Sequence, residues 1–512
     1  MAAMRLRLDQ LHPTEAWQPW RPSASDPWGR KWAAHLYNRA AFGYSRSDLI
    51  EAQRLGPEGT LELLLRGRPN IEEMRETLGD IGRVAAERDD TGEQIRGWWL
   101  YCMLQGGHPL REKMTLFWHN HFATSIAKVQ SPILMYRQNC LLRQHALGKF
   151  APFLQAISRD GAMLVWLDSN SNVKGKPNEN YAREVMELFS LGVGNYTEKD
   201  IRAAARAFTG WHTDGVGFKF NAKLHDDGTK TILGQTGPWD GGDVVRIVLE
   251  QPAAARFLVR KLYHFLINEN DEPSDAFLEP LCVAFRKSDY DIALLLKTML
   301  SSRHFYSEHA FRQRVKSPVE YILGAVQAVY RRYGETEPDY RPLPQQGLVH
   351  RLDAMGQQLF APPNVKGWRG GRNWLNTSTV LERYNFAEAL TMGTVWHRLP
   401  PAPTITPAVA PSLTPEEADS ERNRPTRANA HVEPDPPTAF DPARLIHEEG
   451  VSRSEEVVSV LVDMYLPGGI HSETKAKLVA FVADGKPSGA ALDRRVRETV
   501  QAILTMAEYQ LA

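Results

Sequence analysis

The stretch from Pro177 to Trp211, PNENYAREVMELFSLGVGNYTEKDIRAAARAFTGW, decides the fold, because two helix signatures meet in it across a glycine-rich corner. At about 100° per residue, Tyr181, Val185, Leu188 and Phe189 share one face of the first helix. Glu179, Asn180, Arg183, Glu184 and Glu187 crowd the other. Pro177 suits the entry, since proline lacks a donor that the first turn does not use, and Gly192 suits the exit, where a left-handed residue closes the helix. Thr197 and Asp200 form a capping box with Asp in place of the usual Glu or Gln. Ile201, Ala204, Ala205 and Phe208 then continue at helical spacing to a second stop at Gly210. The stretch predicts a helix pair with a short corner.

The polar face of the first helix has two readings. Glu179, Arg183 and Glu187 lie four apart, as do Asn180 and Glu184, so all five can project into one cavity as a carboxylate cluster around a guanidinium. The same spacing describes a solvated face with two i,i+4 ion pairs, worth roughly 0.2–0.5 kcal/mol each.

Upstream, REKMTLFWHNHFATS begins at Arg111 as an apolar helix and ends in His119 and His121. Residues two apart point to nearly opposite sides of a helix, so these histidines share a ligand only where the chain turns or extends. A metal held there needs further donors from elsewhere; otherwise the pair are hydrogen-bonded core or surface residues. Downstream, alternation over 216–224 and again over 230–233, with Asp226, Asp227 and Gly228 between, predicts one β-hairpin near 216–234. His225 and Asp226 at its tip are either ligands of a divalent cation or ordinary turn chemistry.

The remaining chain is patterned as helices. FLVRKLYHFLI reads as a core helix whose Arg260 and Lys261 reach solvent, and Ser317, Pro318 and Glu320 open another. PPNVKGWRGGRNW is too rich in proline, glycine and tryptophan for regular structure. It is either a recognition surface, with Trp368 and Trp374 as flat faces and Asn364, Arg369 and Arg372 as donors, or a structural plug. GWRGG lacks the Lys-Ser/Thr of a phosphate loop.

The organisation expected is an irregular arm over 1–30, whose tryptophans lie on the surface or against a partner, and a helical main domain over 31–398. A proline-rich disordered linker over 399–442 and a C-terminal helical segment over 443–512 complete it. The fold class is mainly α, a multi-helix globular domain with one β-hairpin insertion and a small C-terminal helical appendage. Lys plus Arg equals Asp plus Glu at 61 each, so no global field draws nucleic acid or an anionic membrane. Three widely spaced cysteines make no disulfide framework. With no signal-peptide run and no long apolar segment, the sequence reads as a cytoplasmic chain without its own export signal.

HLYNRAAFGYS, MTLFWHNHF, the Pro177–Trp211 stretch, LHDDGTKTILG, FLVRKLYHF, VKSPVEYILGA and PPNVKGWRGGRNWLNTSTVLER, in that order over roughly 31–390, resemble the bacterial domain of unknown function family 1800. The resemblance implies a predominantly helical protein, often encoded beside a second uncharacterised family, numbered 1501, that often carries a twin-arginine export signal. The family's recurrent polar positions fall here on His119, His121, Glu179, Asn180, Arg183, Glu184, Glu187, His225, Asp226, Lys230, Asn364, Lys366, Trp368 and Trp374. No catalytic assignment comes with them.

Two functions follow. The first is an accessory partner of a co-encoded, 1501-like protein, staying in the cytoplasm or exported in complex with it. The alternative is a metal-dependent or acid/base enzyme, of hydrolase type. In it Glu184, Glu187 and Arg183 are catalytic, and Asn180, Asn364, Lys366, Trp368 and Trp374 bind substrate. His119, His121, His225 and Asp226 hold a divalent metal.

Overall fold

A computed structural model describes residues 11–69, 71–105, 107–330, 345–394 and 442–512. Helices supply nearly all regular structure, as expected, with two small two-stranded sheets. The proline-rich interval expected over 399–442 lies outside the described residues up to 441. Among the described residues no helix is long and apolar enough to cross a membrane.

The helix pair forms as Asn180–Glu187 and Glu198–Ala207. Tyr181, Val185 and Phe189 are buried, and the Tyr181 hydroxyl donates to Ser158 Oγ at 2.5 Å. At the corner Gly192 adopts φ +79°, and a Cβ there would stand 2.9 Å from the Phe257 ring, so both the turn and the close approach require glycine. The Thr197–Asp200 capping box is present. The second Asp200 oxygen accepts the Leu233 N–H at 2.7 Å, which ties the helix pair to the β insertion.

That insertion differs in pairing from the sequence expectation. Trp211–Thr213 pairs antiparallel with Phe218–Phe220, and Lys230–Ile232 with Gln235–Gly237. Two tight hairpins therefore stand where alternation suggested one, because Asp214-Gly215 and Leu233-Gly234 supply their own turns, with Gly215 and Gly234 both at positive φ.

Two apolar cores hold the helices. One gathers residues from 16–64 and 110–310, the other residues from 78–135, 319–390 and 443–509. The tryptophans of the N-terminal arm are taken up by the chain itself. Trp17 is buried with its indole N–H on Phe277 O at 2.8 Å, and Trp20 stacks on Tyr306 at 4.6 Å. The C-terminal helices pack against earlier helices of the chain, where Val496, Val500 and Ile503 share the second core with Tyr321 and Phe386. The Tyr321 hydroxyl lies 3.1 Å from Arg383 O and 3.2 Å from Leu504 O.

The cores meet across buried charge. Lys113, on the Pro109–His121 helix, pairs with Glu320 on the Pro318–Tyr330 helix, and Arg314 reaches the same Glu320 oxygen at 3.1 Å. Nearby, a Cβ on Gly43 would stand 2.6 Å from Gly324 Cα, so backbone meets backbone at this crossing.

Candidate functional site

His119 and His121 both fall in the last turn of the Pro109–His121 helix, and they point into different surroundings. His119 lies among Trp99, Phe360 and Trp368, with ring centroids 5.2–5.7 Å away. Burial holds it down to about 3, so it is neutral, and its Nε2 has no hydrogen-bond partner among the described residues.

His121 has both nitrogens engaged. Its Nε2 faces Phe189 O at 3.1 Å, and its Nδ1 faces Lys261 Nζ at 2.9 Å. A carbonyl only accepts, so Nε2 carries the proton and Nδ1 receives an N–H from Lys261. Burial drives the imidazole well below its usual range and pushes Lys261 down to about 8.

Lys261 also reaches toward Leu188 O at 3.5 Å, at the C-terminal end of the Glu184 helix, where exposed carbonyls favour a cation. Sequence reasoning missed this lysine. Its neighbour Arg260 turns out to Asp275 at 2.7 Å, whereas Lys261 turns inward to His121, against the expectation that both reach solvent.

The glycine-rich loop lies against the same helix end at His119 and Asn120. Asn120 clamps it twice, accepting the Trp368 N–H at 2.6 Å and donating to Trp368 O at 3.3 Å. Gly367, at φ +76°, sits so close that a Cβ would be 2.1 Å from Asn120 Oδ1. Trp368 and Trp374 are each 8% exposed and pack with Val315, so the loop is built as a plug rather than as a pair of open aromatic faces. Asn364 and Lys366 remain exposed on its turn, with Asn364 Oδ1 accepting the Lys366 N–H at 2.9 Å.

The helix face below divides into used and unused groups. Arg183 spends its guanidinium on Glu198, at 2.8 and 2.9 Å, and on Glu179 at 3.1 Å. Asn180 is exposed at the start of the helix. Glu187 accepts the Tyr196 hydroxyl at 2.8 Å. Glu184 is partly buried and its carboxyl makes no hydrogen bond among the described residues. Burial and then the Glu187 charge push Glu184 up to about 7, against the pull of Lys366 and Arg183.

His225 and Asp226 are occupied elsewhere. His225 Nδ1 meets Thr209 O at 2.8 Å. Asp226 takes Arg206 through two nitrogens at 2.7 and 3.1 Å, and the hydrogen bond to Arg206 pulls it down to about 2. Buried Lys230 closes the turn on Asp226 O and Gly228 O, at 2.5 and 2.9 Å.

Among the described residues no three His, Cys, Asp or Glu side chains stand close enough to hold a metal ion. The expected convergence of His119, His121, His225 and Asp226 therefore does not occur there. What the fold does bring together is Glu184, Glu187 and Lys366, while Lys261, paired with His121, reaches Leu188 O at the C-terminal end of the same helix.

A family model described as a protein of unknown function (DUF1800) matches residues 35–511, which carries the family through the C-terminal helices and beyond the 31–390 of the sequence resemblance. No curated protein and no solved structure matches the chain.

Proposed function

From a chain that belongs to the DUF1800 family, we propose an acid–base enzyme of hydrolytic type whose proton carrier is Glu184. The observation that carries this reading is a partly buried carboxyl with free oxygens, held up to about 7 and facing Lys366. A group divided between acid and base near neutrality can take a proton from an attacking water and return it to the leaving group. Glu187, fixed by Tyr196, stands beside it and contributes to the upward push on Glu184. Lys366, exposed and free to swing, holds an anionic part of the substrate; Arg183 does not, since its guanidinium is already occupied.

The test is turnover by the full chain of a panel of chromogenic esters, phosphoesters and glycosides across pH 5–9. Hydrolysis of at least one class is expected, with a limb near pH 7, falling at least about a hundredfold in Glu184→Gln while the fold is retained. No turnover of any class, or full activity in that variant, contradicts the reading.

A second reading, the accessory subunit, rests on a different surface. The Thr377–Thr391 helix exposes Val380, Leu381 and Tyr384 at 37, 58 and 48%, an apolar stripe at i, i+1 and i+4. A 1501-like partner docked there co-purifies with the wild type and is lost from Leu381→Glu/Tyr384→Glu. Fractionation of the pair shows whether it is exported. Co-purification unchanged by those substitutions removes this surface from the account.

A further inference from the structure

A narrow cleft away from the Glu184 region, with room for a ligand of only a few heavy atoms, opens between the Arg30–Ala40 helix, the 311–316 segment and the C-terminal helices. Lys316 lines it while only 6% exposed, its Nζ 3.8 Å from the centre of the Tyr509 ring. The ammonium has no hydrogen-bond or ion-pair partner among the described residues. Glu320, the carboxylate that attracts it, is already used by Lys113, by Arg314 at 3.1 Å and by the Ser317 N–H at 2.8 Å.

The floor makes the imbalance larger. Arg39, Lys113, Arg314 and Arg383 are all more than nine-tenths buried around the same region, where Glu320 is the buried carboxylate and Glu269 a partly buried one. Several of these cations rest on backbone carbonyls, Arg39 on Ala310 O at 2.5 Å and Arg383 on Lys316 O at 2.8 Å. Carbonyl dipoles solvate a cation without neutralising it, and an uncompensated buried charge is costly. Lys316 is the member of this group that reaches the cleft with the Tyr509 ring face but no carboxylate in contact, so its ammonium can receive an anion from the cleft.

We propose that this cleft binds a small organic monocarboxylate, its oxygens on Lys316 and Arg312 and its short apolar part against Ala34, Phe311 and Leu466. Charge selects the class. Glu508 lines the same cleft and repels a dianion such as phosphate more strongly than a monoanion. Arg312 is placed to help, since one of its nitrogens already reaches Gly469 O at 3.0 Å and the side chain borders the mouth. The phenols of Tyr44 and Tyr465 lie on the same wall. This site is independent of the Glu184 chemistry.

Calorimetric titration of the full chain with acetate and propionate at pH 8, in two buffers of different ionisation enthalpy, tests it. Burial, with Arg312, Arg383 and Lys113 nearby, pushes Lys316 down to about 7, so at pH 8 much of it is neutral and a bound carboxylate draws a proton onto it. His35 on the wall is held neutral by burial, and Lys113, pushed down to about 8, is separated by the variant. Saturable binding with uptake of a fraction approaching one proton is expected, lost in Lys316→Met and weakened severalfold in Arg312→Gln, Arg312 being the less buried of the two cations. Inorganic phosphate is expected to bind more weakly than acetate. Absence of saturable binding, uptake unchanged in Lys316→Met, or preference for phosphate overturns the proposal; if Lys316→Met does not fold, wild-type uptake and Arg312→Gln decide it.

Discussion

Glu184 and Glu320 show how one residue type is set in opposite directions. Glu184 is partly buried beside Glu187, and its carboxyl is raised to about 7 from 4.5. The folded state then binds more protons than the unfolded state between about pH 4.5 and 7, so stability falls as pH rises through that window. Glu184→Gln is expected to leave stability near wild type at pH 4.5 and to gain up to about 3 kcal/mol at pH 8, read by urea unfolding at the two pH values. Glu320 is the reverse. Burial alone would raise it, but Arg314 and Lys113 carry it well below the usual carboxylate range, so its contribution is present at neutral pH and lost in strong acid. Glu320→Gln strands two buried cations and is expected to cost about 3–5 kcal/mol at pH 7, measured the same way. A loss under about 1 kcal/mol would mean the cluster is better hydrated than its burial implies.

At the scale of elements, the clamp between Asn120 and the 364–368 turn orders the candidate site. Gly367→Ala puts a methyl onto Asn120 at a positive φ, and is expected to release the loop, raising the exposure of Trp368 to a fluorescence quencher and lowering stability by more than about 1 kcal/mol. Unchanged quenching would show that the loop is held by other contacts. Much of this level was legible beforehand. The apolar face of the Pro177–Trp211 stretch, its capping box and the opposed directions of His119 and His121 follow from 3.6-residue periodicity alone. The inward turn of Lys261 was not legible, because adjacent cations in FLVRKLYHFLI are equivalent to a pattern and are told apart by what the neighbouring helix offers. The β insertion falls where alternation places it, and its pairing as two hairpins rather than one follows because alternation marks strands but does not say which strand each one pairs with.

For the whole molecule, the second core spans residues 78–135, 319–390 and 443–509. No local pattern announces that the C-terminal helices complete a core that also holds Leu78 and Trp99, since each is only an amphipathic segment with its partner unstated. A chain ended at Thr394 uncovers Tyr321 and Phe386, and is expected to aggregate or to lose hydrogen-exchange protection across the Pro318–Tyr330 helix. A monomeric truncation with native protection there would show that the residues before Thr394 hold that helix without the C-terminal helices. The charge layer of Lys113, Arg314 and Glu320 likewise joins segments two hundred residues apart, and was invisible in a sequence whose charges sum to zero.

The most direct test of the acid–base reading is the titration of Glu184 itself, followed by carboxyl 13C NMR in the intact chain and assigned with Glu184→Gln. A midpoint near 7, moving down when Glu187 is replaced by Gln, is the result predicted. A midpoint in the ordinary range of about 4–5 would contradict it, leaving Glu184 a surface carboxylate with no proton to carry at neutral pH.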